Sequence, residues 1–225
     1  MADRSILFSA PMIVALLEGR KSQTRRCCRQ ANDAALTYVV RIDDAIAAPG
    51  WFGDEEGEVA FFTGFAPGDR LWVREAWRTH RAYDDLKPSD MGGEEAVWPE
   101  VERDNCDYHG RYRAGRYMPR WASRLTLIVT DVRVERLQDC SPADAIAEGI
   151  SVGKPLPQVP TSKGDIYHDG ITDPIDGWTR DPVEAYARLW NHINGAGAWE
   201  ANPWVTAVNF DVLNGNIDNL PQVTA

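Results

Sequence analysis

The sequence predicts an α+β fold: a small mixed β-barrel with flanking helices and long loop insertions. Three observations lead there. Candidate strands are separated by isolated helices rather than by regular βαβ repeats. A strand-like run, Trp204 to Leu213, returns near the C-terminal end. No Gly-rich phosphate loop of the kind that opens a dinucleotide-binding sheet is found.

The elements follow in order. Residues 5–8 read as a short strand and are followed by a helix that Ser9 can cap, with Pro11 in the first turn, where a missing N–H costs nothing. Ile13, Leu16 and Leu17 form its apolar stripe, and Gly19 stops it. From Tyr38 to Phe65 the glycines and Pro49 break the chain into one or two weak strands. Pro67-Gly68-Asp69 turns the chain into the cleanest alternation of the sequence: Leu71, Val73, Glu75 and Trp77 share one face, Arg70, Trp72, Arg74 and Ala76 the other. Residues 79–117 lack a sustained period and read as an insertion. The longest strand candidate is Arg124 to Leu137, after which Ser141-Pro142-Ala143-Asp144 opens a helix that Glu148-Gly149 closes. Residues 151–180 are a second insertion, rich in Pro and Gly. Asp181-Pro182-Val183-Glu184 starts the last helix with a capping-box pattern, and Val183, Tyr186, Ala187, Trp190 and Ile193 give it an apolar stripe. The tail after 214 is expected to fray.

A chain of 225 residues is long enough for one well-buried core, so one domain over 1–225 is expected. The hydrophobic share of 44% is ordinary for a globular protein and argues against disorder. No apolar stretch is long enough for a membrane span, and Met1-Ala2-Asp3-Arg4 lacks a basic region followed by an apolar one; a cytoplasmic protein without membrane partners is expected. Cys27, Cys28, Cys106 and Cys140 form no CxxC pair, so reduced thiols are the default. A net charge of −10 disfavours long duplex DNA as a partner, and any nucleic-acid contact must be local. Two basic patches offer one, the first holding Arg20, Lys21, Arg25, Arg26 and Arg29, the second Arg111, Arg113, Arg116, Arg120 and Arg124. Solvated faces are the plain alternative for both.

Several residues draw attention by their own chemistry. Glu75 sits on the apolar face of its strand, where a carboxylate is costly unless paired, for instance with Arg25 or Arg26. A carboxylate there can also accept from the exocyclic amino group of cytosine. Trp72, Trp77 and Trp121 can offer faces to a base or fill the core, and Arg120 and Arg124 flank Trp121 as a nucleotide-binding edge requires. Cys106 and His109 have a chelating spacing, but no second pair accompanies them, and neither metal nor cofactor is expected.

Four blocks together resemble the ASCH family, a branch of the PUA-like superfamily. They are Gly19-Arg20-Lys21-Ser22-Gln23-Thr24-Arg25-Arg26; Gly68-Asp69-Arg70-Leu71-Trp72-Val73-Arg74-Glu75-Ala76-Trp77; Arg124-Leu125-Thr126-Leu127 through Asp144-Ala145-Ile146-Ala147-Glu148-Gly149; and Asn202-Pro203-Trp204. The Pro119-Arg120-Trp121-Ala122-Ser123-Arg124 segment is similar to ASCH proteins encoded by phages and prophages. The resemblance implies a PUA-like β-barrel holding a nucleobase, nucleoside or RNA segment. Characterised relatives include amidohydrolases that deacetylate N(4)-acetylcytidine, a ribonuclease, and proteins presumed to bind RNA.

In the amidohydrolase branch a lysine after the first helix is the proton acceptor and a threonine three residues on is the nucleophile; the matching positions are Lys21 and Thr24. A hydroxyl needs such a base, and burial beside cations lowers a lysine pKa enough to make it one. On an extended strand that spacing puts the two side chains on opposite faces, so the chain must bend for them to meet. The branch's glutamate proton donor best matches Glu148, with Glu75 as competitor. Arg20, Arg25, Arg26, Trp77, Arg120, Trp121 and Arg124 are the candidate ligand-binding residues. Hydrolysis of an acylated cytidine, RNA binding without chemistry, and RNA cleavage by the same cleft all remain open.

Overall fold

The computed structural model describes residues 2–42, 49–104, 106–153, 165–171 and 177–220. In chain order the elements begin with β1 (Asp3–Leu7), α1 (Ala10–Leu17), β2 (Gln23–Cys27), α2 (Arg29–Asp33), β3 (Val40–Arg41), β4 (Trp51–Gly53) and β5 (Ala60–Phe62). They continue with β6 (Arg70–Arg74), β7 (Trp77–Arg78), β8 (Trp98–Pro99) and β9 (Leu125–Arg136). The last third holds α3 (Pro142–Ala147), β10 (Ser151–Gly153), β11 (Ile166–His168), β12 (Trp178–Thr179), α4 (Pro182–Asn194) and β13 (Trp204–Asn214).

This is a mixed α+β fold with many strands and few helices. The largest sheet has the order β1-β6-β9-β13-β2, and the other strands form sheets of three, three and two. No pairing closes a barrel among the described residues. The chain divides into two compact units. The first takes Met1–Leu17, Gly68–Ile128 and Asp211–Ala225; the second takes Glu18–Pro67 and Val129–Phe210.

In the first unit β1 lies parallel to β6, with Ser5 opposite Trp72 and Leu7 opposite Arg74, and β6 runs antiparallel to the start of β9. The alternation expected over 70–77 appears in the burial: Leu71, Val73, Glu75 and Trp77 are all 2% exposed or less. Trp77 anchors a small core with Met91, Met118 and Ala122, and Trp121 meets it edge-on at 6.1 Å. The described residues of 79–117 hold short 3₁₀ turns around the β7–β8 pair. The tail departs from expectation. Asn216 Nδ2 donates to the carbonyls of Arg120, Trp121 and Ser123, and Ile217 is 0% exposed. Residues 215–220 are therefore anchored where fraying was expected, and 221–225 lie outside the described residues.

In the second unit β2 pairs antiparallel with β13, Thr24 opposite Val208. Three strands, β3-β4-β5, occupy the stretch where one or two were expected. Helix α3 opens with a full capping box, in which Ser141 and Asp144 bond each other's backbone N–H groups. The capping box expected at α4 is only half made. Asp181 accepts from Val183 N, while Glu184 turns instead to Thr179 and Arg188. The α4 stripe is shifted too: Ala185, Tyr186, Leu189 and Trp190 are buried, and Ile193 is exposed. These side chains pack with Leu137, Cys140, Ala145, Ile150 and Val205 into this unit's core. In the insertion expected over 151–180, residues 154–164 and 172–176 lie outside the described residues, and β10-β11-β12 form a small antiparallel sheet. No helix among the described residues is long and apolar enough to cross a membrane.

Candidate functional site

The chain after α1 leaves the helix at Gly19, whose φ of +69° an L side chain rarely adopts. It then runs extended. Lys21 makes an isolated antiparallel bridge with Glu148, and Ser22 N donates to Ala147 O at 2.9 Å. The chain thereby seats its polar side chains against the end of α3. By period-two alternation Lys21, Gln23 and Arg25 fall on one side and Thr24 and Arg26 on the other, and the contacts follow that division.

Lys21 Nζ donates to Glu148 Oε2 at 2.8 Å and to the Glu148 carbonyl at 2.7 Å, with both side chains 2% exposed or less. Gln23 Nε2 donates to Asp144 Oδ1 at 2.9 Å and to Asn209 Oδ1 at 2.7 Å. Arg25 is fully buried and reaches three carboxylates: Glu135 at 2.6 Å, Glu148 at 3.5 Å and Asp144 at 3.6 Å. It also donates to Gln23 Oε1, and its guanidinium lies 5.8 Å from the Tyr186 ring centroid. Thr24, 0% exposed, accepts from Arg26 Nη1 at 2.9 Å.

Burial sets the electrostatics of this cluster. It holds the Lys21 pKa below that of an ordinary lysine, against the pull of Glu148, and Arg26 and Arg25 add to the lowering. The Tyr186 phenol is pushed well above its usual range by burial and then by the charge on Glu148. Burial also pushes the Cys140 thiol up to about 12, which keeps it protonated. Asp144 behaves oppositely. Burial raises its carboxyl, but hydrogen bonds from Ser141, Gln23 and Arg133 and the charge of Arg25 outweigh that and leave it well below the usual range. One atom is left over: Arg25 Nε is buried without a hydrogen-bond partner.

Six of the candidates from sequence therefore lie in the second unit: Lys21, Thr24, Glu148, Arg20, Arg25 and Arg26. Arg20 is tied to Glu18 at 2.7 Å and to the Gly149 carbonyl, on the rim of the cluster. The other five lie in the first unit. Glu75 is 2% exposed and pairs with Arg124 at 2.8 Å, where Arg25 or Arg26 had been expected from sequence. Arg124 is shared with Glu102, and Arg120 bridges Asp3 and Asp218, each at 2.6 Å. Trp77 is fully buried, with Arg113 over its ring at 5.5 Å, and Trp121 packs against it.

No protein-family model, curated protein or solved structure matches the chain.

Gln23, Glu135, Asp144 and Tyr186 are cluster members that the sequence did not single out. For Gln23 a signal existed, since Lys21, Gln23 and Arg25 continue one period-two face. Glu135, Asp144 and Tyr186 come from β9, α3 and α4, and only the folded chain brings them to Arg25. Cys106 and His109 lie beside Asp104, with Sγ–Oδ2 at 3.0 Å and Nε2–Oδ1 at 3.3 Å. Among the described residues no group of three metal-ligating side chains is found.

Proposed function

We propose that this chain is a nucleoside- or RNA-recognising protein of the ASCH, PUA-like type, cytoplasmic and of phage kinship, and that it hydrolyses the amide of an N-acylated cytidine. The observation that carries this reading is the buried pair Lys21–Glu148, joined at 2.8 Å by residues 127 apart in sequence. A lysine whose pKa is lowered by burial can act as a base, and a carboxyl bonded to it can relay a proton.

The steps balance as follows. Lys21 and Thr24 lie on opposite sides of the extended chain, so the reaction requires β2 to bend and Lys21 first to pass its proton to Glu148 across their hydrogen bond. Lys21 then takes the Thr24 hydroxyl proton while Oγ1 attacks the acyl carbon and negative charge develops on the acyl oxygen. Glu148 then gives the proton received from Lys21 to the exocyclic nitrogen as the C–N bond breaks, releasing cytidine and restoring the Lys21–Glu148 ion pair. Water then hydrolyses the threonine ester to free the carboxylic acid. Arg25 and Gln23 hold the carboxylates of Glu148 and Asp144 in register throughout. The test is chromatographic detection of cytidine from N(4)-acetylcytidine, with release expected from wild type and abolished in Lys21→Ala; unchanged release in that variant would remove the reading.

Two observations favour a second reading, recognition of RNA or a modified base without chemistry. Lys21 and Thr24 are 1% and 0% exposed, so a substrate reaches them only if neighbouring chain opens. Lys21 is also held by two Glu148 oxygens, which suits a strut tying β2 to α3. Binding of a nucleoside that Lys21→Ala abolishes, without cytidine release, would select this reading, and release of shortened RNA would select cleavage by the same residues.

A further inference from the structure

The outer face of the β1–β6 pair carries cations on aromatic rings that the chemistry proposed above does not use. Its composition follows from the register. Ile6 and Val73 point into the core at 4% and 1% exposure, so Ser5 with Trp72 and Leu7 with Arg74 face outward in neighbouring pairs. Leu7 is 45% exposed. Arg74 lies 5.6 Å from the Trp72 ring centroid and donates Nη1 to the Arg116 carbonyl at 3.2 Å. Arg116 is exposed and stands 4.9 Å from the ring of Tyr117, itself 58% exposed. Two guanidinium–aromatic pairs are thus fastened to one another within the first unit.

The patch is positive on a chain that is acidic as a whole. Net charge is −10, and the neighbouring arginines on the same strands and turns are neutralised: Arg70 by Asp3 at 2.8 Å, Arg120 by Asp3 and Asp218. Among the described residues Arg74 and Arg116 make no ion pair with a carboxylate. Here the two positive charges sit on flat rings instead, and Arg74 Nε is buried with no hydrogen-bond partner.

We propose that Trp72, Arg74, Arg116 and Tyr117 form a docking face for single-stranded nucleic acid, with bases on the exposed Tyr117 ring and the half-buried Trp72 ring and backbone phosphates on the guanidiniums. Ring faces attract bases of any identity, and arginine presents a planar fork to phosphate, so this set recognises the polymer rather than a sequence. An acidic peptide satisfies the arginines but gives the rings no stacking partner, which is why nucleic acid is the occupant chosen. The face is independent of the Lys21 cluster. Because its test reads binding alone, its failure and that of the hydrolase reading are separable.

The experiment is a fluorescence-anisotropy titration of the full chain with a labelled oligouridylate of about 12 nucleotides, a length that such faces span. Wild type is expected to bind at about 50 mM salt and to weaken steeply by about 200 mM. Tyr117→Ala is expected to lose about tenfold or more in affinity, while Tyr117→Phe, which keeps the ring, stays near wild type. Arg116→Gln is expected to lower the salt slope by about 0.7, the share of one single-strand phosphate. Both positions are exposed, so the variants fold, and matching circular dichroism checks this. No binding by wild type, or equal affinity for wild type and Tyr117→Ala, overturns the proposal. Equal binding of a labelled oligoglutamate also overturns it, since the face would then take an acidic peptide.

Discussion

Replacing Glu148 by Gln removes one negative charge from between Lys21 and Arg25 while keeping the side chain's size. Arg25 retains Glu135 at 2.6 Å and Asp144 at 3.6 Å, so the burden falls on Lys21, which loses the carboxylate 2.8 Å from its ammonium. A buried lysine so deprived sheds its proton. At pH 7 that costs a lysine of ordinary pKa 10.5 three and a half pH units at about 1.36 kcal/mol each, or about 4.8 kcal/mol. This is a ceiling, and it agrees with the roughly 3–5 kcal/mol lost when one partner of a buried pair is removed.

The pH dependence follows with its sign. In the folded variant Lys21 is neutral, whereas the unfolded chain holds that proton up to pH 10.5, so the folded state binds fewer protons and stability rises with pH. Relative to wild type, the variant should recover about 1.4 kcal/mol per unit as pH rises from 7, until pH reaches the lowered pKa of Lys21 in wild type, above which both proteins gain alike. Urea unfolding followed by circular dichroism at several pH values, with equal m values checked, measures both effects. The double variant Lys21→Met/Glu148→Leu is expected to regain most of the loss, because an apolar pair of similar volume replaces the ions. A loss under about 1 kcal/mol in Glu148→Gln, with no recovery at high pH, would refute the buried-pair reasoning.

Two further outcomes are expected. Asp144→Asn should cost about 1.5–3 kcal/mol at pH 7, since its charge-assisted hydrogen bonds are lost; because the folded Asp144 pKa lies below 3.8, that contribution is present above pH 3.8 and fades below it, so acid titrations of wild type and variant should converge as pH falls. Ile217→Ala should lower stability by about 2–5 kcal/mol in thermal unfolding, as a fully buried side chain does, whereas an unchanged midpoint would mean that the tail is loose.

Local chemistry carried much of the fold into the sequence. The alternation over 70–77, the Ser141-to-Asp144 cap and the long apolar run that became β9 are all set by neighbours within a few residues, and each is where the pattern puts it. Partnerships across the chain were not legible in the same way. Lys21 meets Glu148 because β2 runs past the end of α3, and nothing near Lys21 encodes that register. Glu75 reads from sequence as a carboxylate on an apolar face, yet its partner Arg124 lies 49 residues away. The tail misled for a related reason. Ile217 stands alone among polar residues, so it has no periodicity to announce that it is fully buried. Glu184 shows the limit of cap patterns, since Arg188 one turn on and Thr179 compete for its carboxylate and win.

The measurement that most directly tests the account is cytidine release from N(4)-acetylcytidine by wild type beside Thr24→Ser and Thr24→Val. Valine keeps the buried shape of Thr24 without its hydroxyl, and serine keeps the hydroxyl without the methyl. The account predicts release by wild type, reduced release by Thr24→Ser and none by Thr24→Val in a folded chain. Release by Thr24→Val at the wild-type rate, or no release by wild type, would contradict it.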